Sequence, residues 1–298
     1  MMTPVLFSVS YAGLWGQHRL DLKEFLAKAA ELGYPAVELM GKRPHLSVLD
    51  VDDQQADDVR RAAEAAGVRI ATIAGYTSFT LGRDTEIPSA EIQIAYVRSL
   101  ARLAQRLGAR VVRIFTGYFN EPDAYARDWD LCVRAVRECA DAAAECGVTL
   151  GLQNHHDVGA GTDAYVEFLD DVGHENCRAM FDPWVPALLG EDLRAAARRL
   201  APRMVQTTLA DYVRLTRYAY LPGLVNYKRL DDMVRAVPLG EGFLDLEGFF
   251  AGLREGGFDG LVAYEMCSPL RGGGSLENLD RAAAASLEMI RTLIGGGA

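Results

Sequence analysis

Five times along this chain a helical run stops at a glycine and passes at once into an apolar run: ELGYPAVEL from Glu31, AAGVRIATI from Ala65, RLGARVVRI from Arg106, ECGVTLGLQ from Glu145 and EGGFDGLVAYE from Glu255. Glycine suits the left-handed position that ends a helix, and the aliphatic and β-branched residues that follow suit a strand buried on both faces. The unit recurs roughly every 35 to 40 residues, the length of one helix-plus-strand step. A chain punctuated in this way is confined to parallel α/β architectures.

The same reading predicts strands over 5–10, 36–40, 69–74, 110–115, 148–153, 177–182, 204–209 and 261–265, with helices between them, among them 53–66, 89–107, 130–146, 162–172 and 246–254. Asp21 is placed to cap the first helix. Strict alternation with eight strands predicts a (β/α)8 TIM barrel spanning residues 1–298 as one domain, because open sheets usually stop at about five to seven strands. One departure is a long loop at about 210–241 after the seventh strand, carrying Tyr212, Tyr218, Tyr220, Tyr227, Arg214, Arg217 and Lys228. Connections of this length are functional lids or interface arms, and the expectation of a homo-oligomer rests on it.

Composition excludes several classes. Lys and Arg total 31 against 41 Asp and Glu, a formal net charge of −10, which argues against nucleic-acid and anionic-membrane binding. The opening MMTPVLFSVS lacks a basic n-region, and no apolar run reaches membrane-spanning length, so a cytoplasmic protein is expected. Cys132, Cys139 and Cys146 recur every seven residues on one helix face, a spacing that suits a buried thiol stripe and not a zinc site. Cys177 and Cys267 read as core residues.

In such a barrel the chemistry gathers at the C-terminal ends of the strands. Those ends offer Ser8 and Ser10; Glu38 with Lys42, Arg43 and His45; Arg113 and Thr116; Gln153, Asn154, His155, His156 and Asp157; Asp182; Gln206, Thr208 and Asp211; and Glu265. Gln153, Asp182, Gln206 and Glu265 come from four consecutive strands, and amide and carboxylate oxygens converging there suit a hard divalent cation. Each residue also has a plainer role open to it. Asp182 before Pro183 caps a turn, Glu38 pairs with a nearby base, His155 and His156 lie exposed on a loop, and the glutamines bond across the barrel.

At these positions the chain resembles the sugar phosphate isomerase/epimerase family of xylose isomerase-like barrels. The matching stretches are GYPAVEL, LGLQNHH, MFDPW, TLADY, PLGEGFLD and GFDGLVAYEM. The resemblance implies a divalent ion, Mn2+ first and otherwise Mg2+, Co2+ or Zn2+, held by Gln153, Asp182, a strand-seven residue and Glu265. Two positions depart from the family pattern. Gln153 stands where the family has Glu, removing one carboxylate, and Thr208 falls on the strand-seven ligand position, with Gln206 two residues earlier on the same face.

The reaction so implied is abstraction of a proton α to a carbonyl through a metal-stabilised enediolate. Glu265 is the candidate base, and His155, His156 or Glu38 the candidate relay. Lys42, His45, Asn154, Trp184 and Arg271 are candidate substrate contacts, Arg271 with the glycines 272–274 as a phosphate site or simply a turn. The leading expectation is a sugar isomerase or epimerase with a small-molecule sugar as its partner. Two alternatives stand beside it: a lyase performing β-elimination on an oxidised glycoside, with the tyrosine-rich segment sheltering an aglycone, and a non-catalytic sugar-binding barrel.

Overall fold

The computed structural model describes residues 1–82, 86–119 and 121–296. In chain order its strands are β1 (Thr3–Phe7), β2 (Ala36–Met40), β3 (Arg69–Ala74), β4 (Val111–Ile114), β5 (Thr149–Gln153), β6 (Cys177–Met180), β7 (Met204–Leu209), β8 (Asp211–Leu221), β9 (Asn226–Val237) and β10 (Leu261–Tyr264). All but β8 and β9 close into a parallel barrel in the order β1-β10-β7-β6-β5-β4-β3-β2. The helices are α1 (Leu22–Glu31), α2 (Asp53–Ala66), α3 (Ser89–Leu107), α4 (Tyr125–Glu145), α5 (Thr162–Val172), α6 (Trp184–Leu189), α7 (Leu193–Leu200), α8 (Leu246–Glu255) and α9 (Leu276–Gly295). This is the expected (β/α)8 TIM barrel, with α6 added after β6 where the sequence pattern showed none.

The local reasons match the sequence signals. Gly33, Gly67, Gly108, Gly147 and Gly257, the five punctuating glycines, all hold positive φ between 65° and 83°. Asp21 and Asp52 cap α1 and α2 in full capping boxes with Glu24 and Gln55. Cys132 and Cys139 lie fully buried along α4, and all five thiols are free. No helix among the described residues is long and apolar enough to cross a membrane.

Inside the barrel, Val5, Ala36, Ala71, Val111, Met180, Leu261 and Ala263 pack into one apolar cluster. A Cβ at Gly151 would lie 2.3 Å from the Met180 sulfur, so any side chain there would displace Met180. Beside this cluster the interior turns polar: Glu38, Thr72, Arg113, Gln153, Gln206 and Thr208 are each no more than 2% exposed.

The segment expected as a long loop is an antiparallel hairpin, β8 paired with β9 from Asp211↔Val237 to Leu221↔Asn226. Its outer part is exposed, with Tyr218, Tyr220, Tyr227, Leu224 and Val225 all more than half accessible. Its base is fastened by Asp211, whose carboxylate accepts backbone N–H bonds from Tyr212 (2.9 Å), Gly240 (3.0 Å), Gly242 (2.9 Å) and Leu244 (3.3 Å). Gly242 has no room for a side chain, because a Cβ there would sit 1.9 Å from Asp211 Oδ1. Asp211→Ala strips four amides of their acceptor and is expected to cost at least about 2 kcal/mol. A lower urea midpoint at unchanged m-value is the readout.

Candidate functional site

At the C-terminal mouth lies a cavity of about 360 Å³, lined among others by Phe7, Lys42, Tyr76, Arg113, Phe115, Tyr118, His155, His156, Trp184, Tyr212, Glu265 and Cys267. It forms where the parallel strands end and the chain turns outward. Tyr212 and Val234 at the hairpin base complete one wall, so the hairpin belongs to the site at its root and not at its tip.

Arg113, projecting inward from β4, is the hub. Its Nη1 donates to Gln153 Oε1 at 2.9 Å and its Nη2 to the Gly75 carbonyl at 3.3 Å, while Nε lies 3.8 Å from Glu38 Oε1. The guanidinium also rests against the rings of Phe115 (4.3 Å), Tyr76 (4.9 Å) and Phe7 (5.2 Å). Gln153 passes the contact on, its Nε2 donating to Asp182 Oδ2 at 3.1 Å. Asp182 Oδ1 in turn accepts the Trp184 backbone N–H at 2.9 Å.

Glu265 is 6% exposed and Asp182 4%. Burial first, and the charge of Asp182 second, push the Glu265 carboxyl well above the ordinary carboxylate range; Arg113 and Cys267 oppose this. Burial likewise raises Asp182 against the N–H groups of Trp184 and Gln153. The charge of Asp182 thus disfavours ionisation of Glu265, which is the more readily protonated of the two. Sulfur and phenol stand beside them, with Tyr212 Oη 2.9 Å from Cys267 Sγ.

The histidines are neutral. Burial lowers His155 to about 4, and burial with His155 and Arg113 nearby lowers His156 to about 3. His156 stacks on Tyr118 at 4.0 Å, and the His155 and His156 rings each pack on Phe115 at 4.7 Å. Lys42, its ammonium 3.7 Å over the Tyr76 ring, is lowered by burial and then by Arg113. Five lining residues hold buried polar atoms with no hydrogen-bond partner: Tyr76 Oη, Arg113 Nε, His155 Nδ1, His156 Nδ1 and Trp184 Nε1.

The expected site residues thus divide. Glu265, His155, His156, Lys42 and Trp184 line the cavity, and Gln153 and Asp182 adjoin it through Arg113 and Trp184. Five other expected site residues do not line this cavity. Gln206 pairs in register with Leu261, its Nε2 donates to Glu38 at 2.5 Å, and its Oε1 accepts from Thr72 at 2.6 Å. Glu38, held between Gln206 and Arg113 at 0% exposure, is part of the barrel interior and does not line the cavity. His45 and Asn154 are engaged within the protein. His45 bonds Ser8 Oγ at 3.0 Å and the Leu20 carbonyl at 3.2 Å, and Asn154 clamps the Asp182 backbone through bonds of 2.7 and 3.0 Å. Arg271 is exposed, outside the cavity, with its N–H on the Ala236 carbonyl and the adjoining Gly274 packed against Gly16 and Gln17.

In the sequence Arg113 is one strand-end residue among several, and Tyr76, Phe115 and Tyr118 do not stand out as site residues. The available signal was a lone arginine at an inward position of an otherwise aliphatic buried strand, which demands partners.

The donor set does not fit a four-coordinate divalent ion. Among the described residues no three His, Cys, Asp or Glu side chains are grouped to hold one. Asp182 and Glu265 are the only carboxylates expected as ligands, the Gln153 oxygen is turned to Arg113, and Thr208 pairs with Ala263, two residues below Glu265 on β10, offering only a hydroxyl.

A sequence model described as xylose isomerase-like TIM barrel matches residues 26–293. No curated protein sequence matches the chain. Among solved structures, a D-psicose 3-epimerase from Clostridium cellulolyticum H10 with D-tagatose is similar at 17% identity and TM-score 0.75, over 98% of this chain and 99% of that one. The probable 3-DHS dehydratase AsbF from Bacillus anthracis is similar at 18% identity and TM-score 0.73, over 97% and 99%. The IOLI protein with a bound zinc atom is similar at 16% identity and TM-score 0.74, over 99% and 98%. At these identities the likeness is one of fold.

Proposed function

Because the chain belongs to the xylose isomerase-like TIM-barrel family, we propose that it is an enzyme acting on a sugar, keto-sugar or polyol derivative, removing a proton from the carbon beside a carbonyl as an isomerase or epimerase. One observation carries this reading: a buried carboxyl of raised pKa, Glu265, opens onto a cavity whose lining residues keep five polar atoms unpartnered. A polyhydroxylated ligand is what such a lining satisfies, and a base tuned upward is what carbon-acid chemistry needs. The epimerase and its bound ketose support the same substrate class.

Glu265 takes the proton, and Arg113 together with the neutral His155 faces the oxygen on which charge develops. A divalent ion, as held by the zinc-bearing IOLI protein, would supply Lewis-acid polarisation of the carbonyl. In this chain Asp182 and Glu265 are the side chains that would face it, and the remaining donors do not complete a site.

A second reading, β-elimination by a lyase, is favoured by Gln153. With an amide in place of the second carboxylate, one base remains, and removal of a proton followed by loss of a β-substituent needs only one. The dehydratase neighbour supports that chemistry. Incubation with a panel of ketoses and keto-polyols in D2O, followed by NMR, distinguishes the two. Deuterium at the carbon beside the carbonyl with the skeleton intact supports the isomerase, whereas an unsaturated ketone and a released fragment support the lyase. Binding without exchange would replace both with the sugar-binding barrel.

The pH dependence has a defined sign. His155 and His156 stay neutral between about pH 5 and 8, so the profile of kcat/KM is expected to lack an imidazole step near 6.5. The rate should instead fall as pH drops through the raised pKa of Glu265, about 8, where the base takes up the first proton of the Asp182–Glu265 pair. A limb near about 4 would remove Glu265 as a tuned base.

A further inference from the structure

An α-deprotonated carbonyl carries negative charge on its oxygen, and Arg113, 2% exposed and held by Gln153, Gly75 and Glu38, brings a fixed positive charge to this mouth. Gln153 is oriented from both sides. Turning its amide over would set NH2 against guanidinium N–H and oxygen against the Asp182 carboxylate, so the N–H end must face Asp182. A glutamate here would instead place two carboxylates across a 3.1 Å gap, an arrangement that calls for a cation between them. The amide N–H fills that place.

An ion on Gln153 Oε1 at a bond length of about 2.2 Å would sit no more than about 5 Å from Arg113 Nη1. It would meet direct repulsion in a site sheltered from water. Thr208 adds only a neutral hydroxyl, and Gln206 is committed deeper in the barrel. From these contacts we infer that this mouth has exchanged a bound divalent ion for the Arg113 guanidinium and the Gln153–Asp182 hydrogen bond. The reaction, which rests on the carbonyl reading above, proceeds here without a tightly held metal.

The test is titration of chelator-treated protein with Mn2+ and Zn2+ by calorimetry, beside elemental analysis of protein purified without chelator. The wild-type chain is expected to hold no stoichiometric ion and to show no saturable binding at micromolar concentration. Gln153→Glu combined with Thr208→His is expected to raise Mn2+ affinity on the order of 100-fold by adding a charged ligand and an imidazole. Gln153→Glu alone should give part of that gain, and it stands in if the double variant does not fold.

One ion per wild-type chain at micromolar affinity would overturn the inference. So would deuterium exchange that is lost in excess chelator and restored by Mn2+; exchange that persists in chelator supports it. Failure to exchange any sugar refutes the reading of the reaction and leaves the titration to decide the metal independently.

Discussion

Glu265→Gln is expected to lower the rate of α-proton exchange by about three orders of magnitude while leaving the barrel folded. The substitution keeps shape and volume but removes the group proposed to take the proton. Stability should hold or rise, because the wild-type carboxyl is buried beside Asp182 and Glu38, both of which raise the cost of its charge. The measurement is deuterium incorporation by NMR, paired with the urea midpoint of the same preparation. Full exchange activity in a folded Glu265→Gln protein would remove Glu265 from the mechanism.

Arg113→Met should have the largest effect on stability, a loss of about 3–5 kcal/mol. Removing the guanidinium leaves the Glu38 carboxylate without its ion-pair partner and the Gln153 oxygen without a donor, in surroundings that water does not reach. Glu38→Gln in the Arg113→Met background should recover part of the loss, so that the double-mutant cycle reports a coupling between the two residues. The pH sign is worked from Glu38, whose carboxyl burial already raises and Arg113 restrains. Without Arg113 its folded pKa climbs further above the unfolded value. The neutral form is favoured below the unfolded pKa, and that advantage disappears as pH rises through the folded one. The deficit of Arg113→Met is therefore expected to narrow as pH falls. Denaturant unfolding at several pH values checks it; a loss below about 1 kcal/mol would mean that the contacts drawn through Arg113 carry little weight.

The barrel was legible because its signals are local. A glycine that must take positive φ, followed by a run that must be buried on both faces, fixes a helix-to-strand transition without reference to anything distant, and α2, α3, α5, β2, β3 and β7 match the sequence reading residue for residue. The hairpin was less so: polar and apolar residues alternate only over 213–216, so the segment reads as a long loop although its turn carries Pro222 and Gly223.

The site was harder to read, and for a different reason. Gln206 and Thr208 both point inward from β7, and only the register against Leu261 and Ala263, with the bond from Gln206 to Glu38, reveals which layer each occupies. Likewise Arg113 looked like one polar strand end among several. Its weight comes from partners on β2, β5 and the segment after β3, relations that sequence order does not display.

The polar chain running from Thr72 through Gln206, Glu38 and Arg113 to Gln153 and Asp182 has a consequence for how this molecule can change. In a barrel whose interior is sealed with aliphatic side chains, the mouth can be rewritten while the scaffold stays indifferent. Here a polar path runs beside the apolar cluster: a hydroxyl on β3 is linked through four side chains to a carboxylate beside the cavity. Scaffold and reactivity must evolve together, and a substitution as remote as Thr72→Val is an edit to the mouth of the barrel.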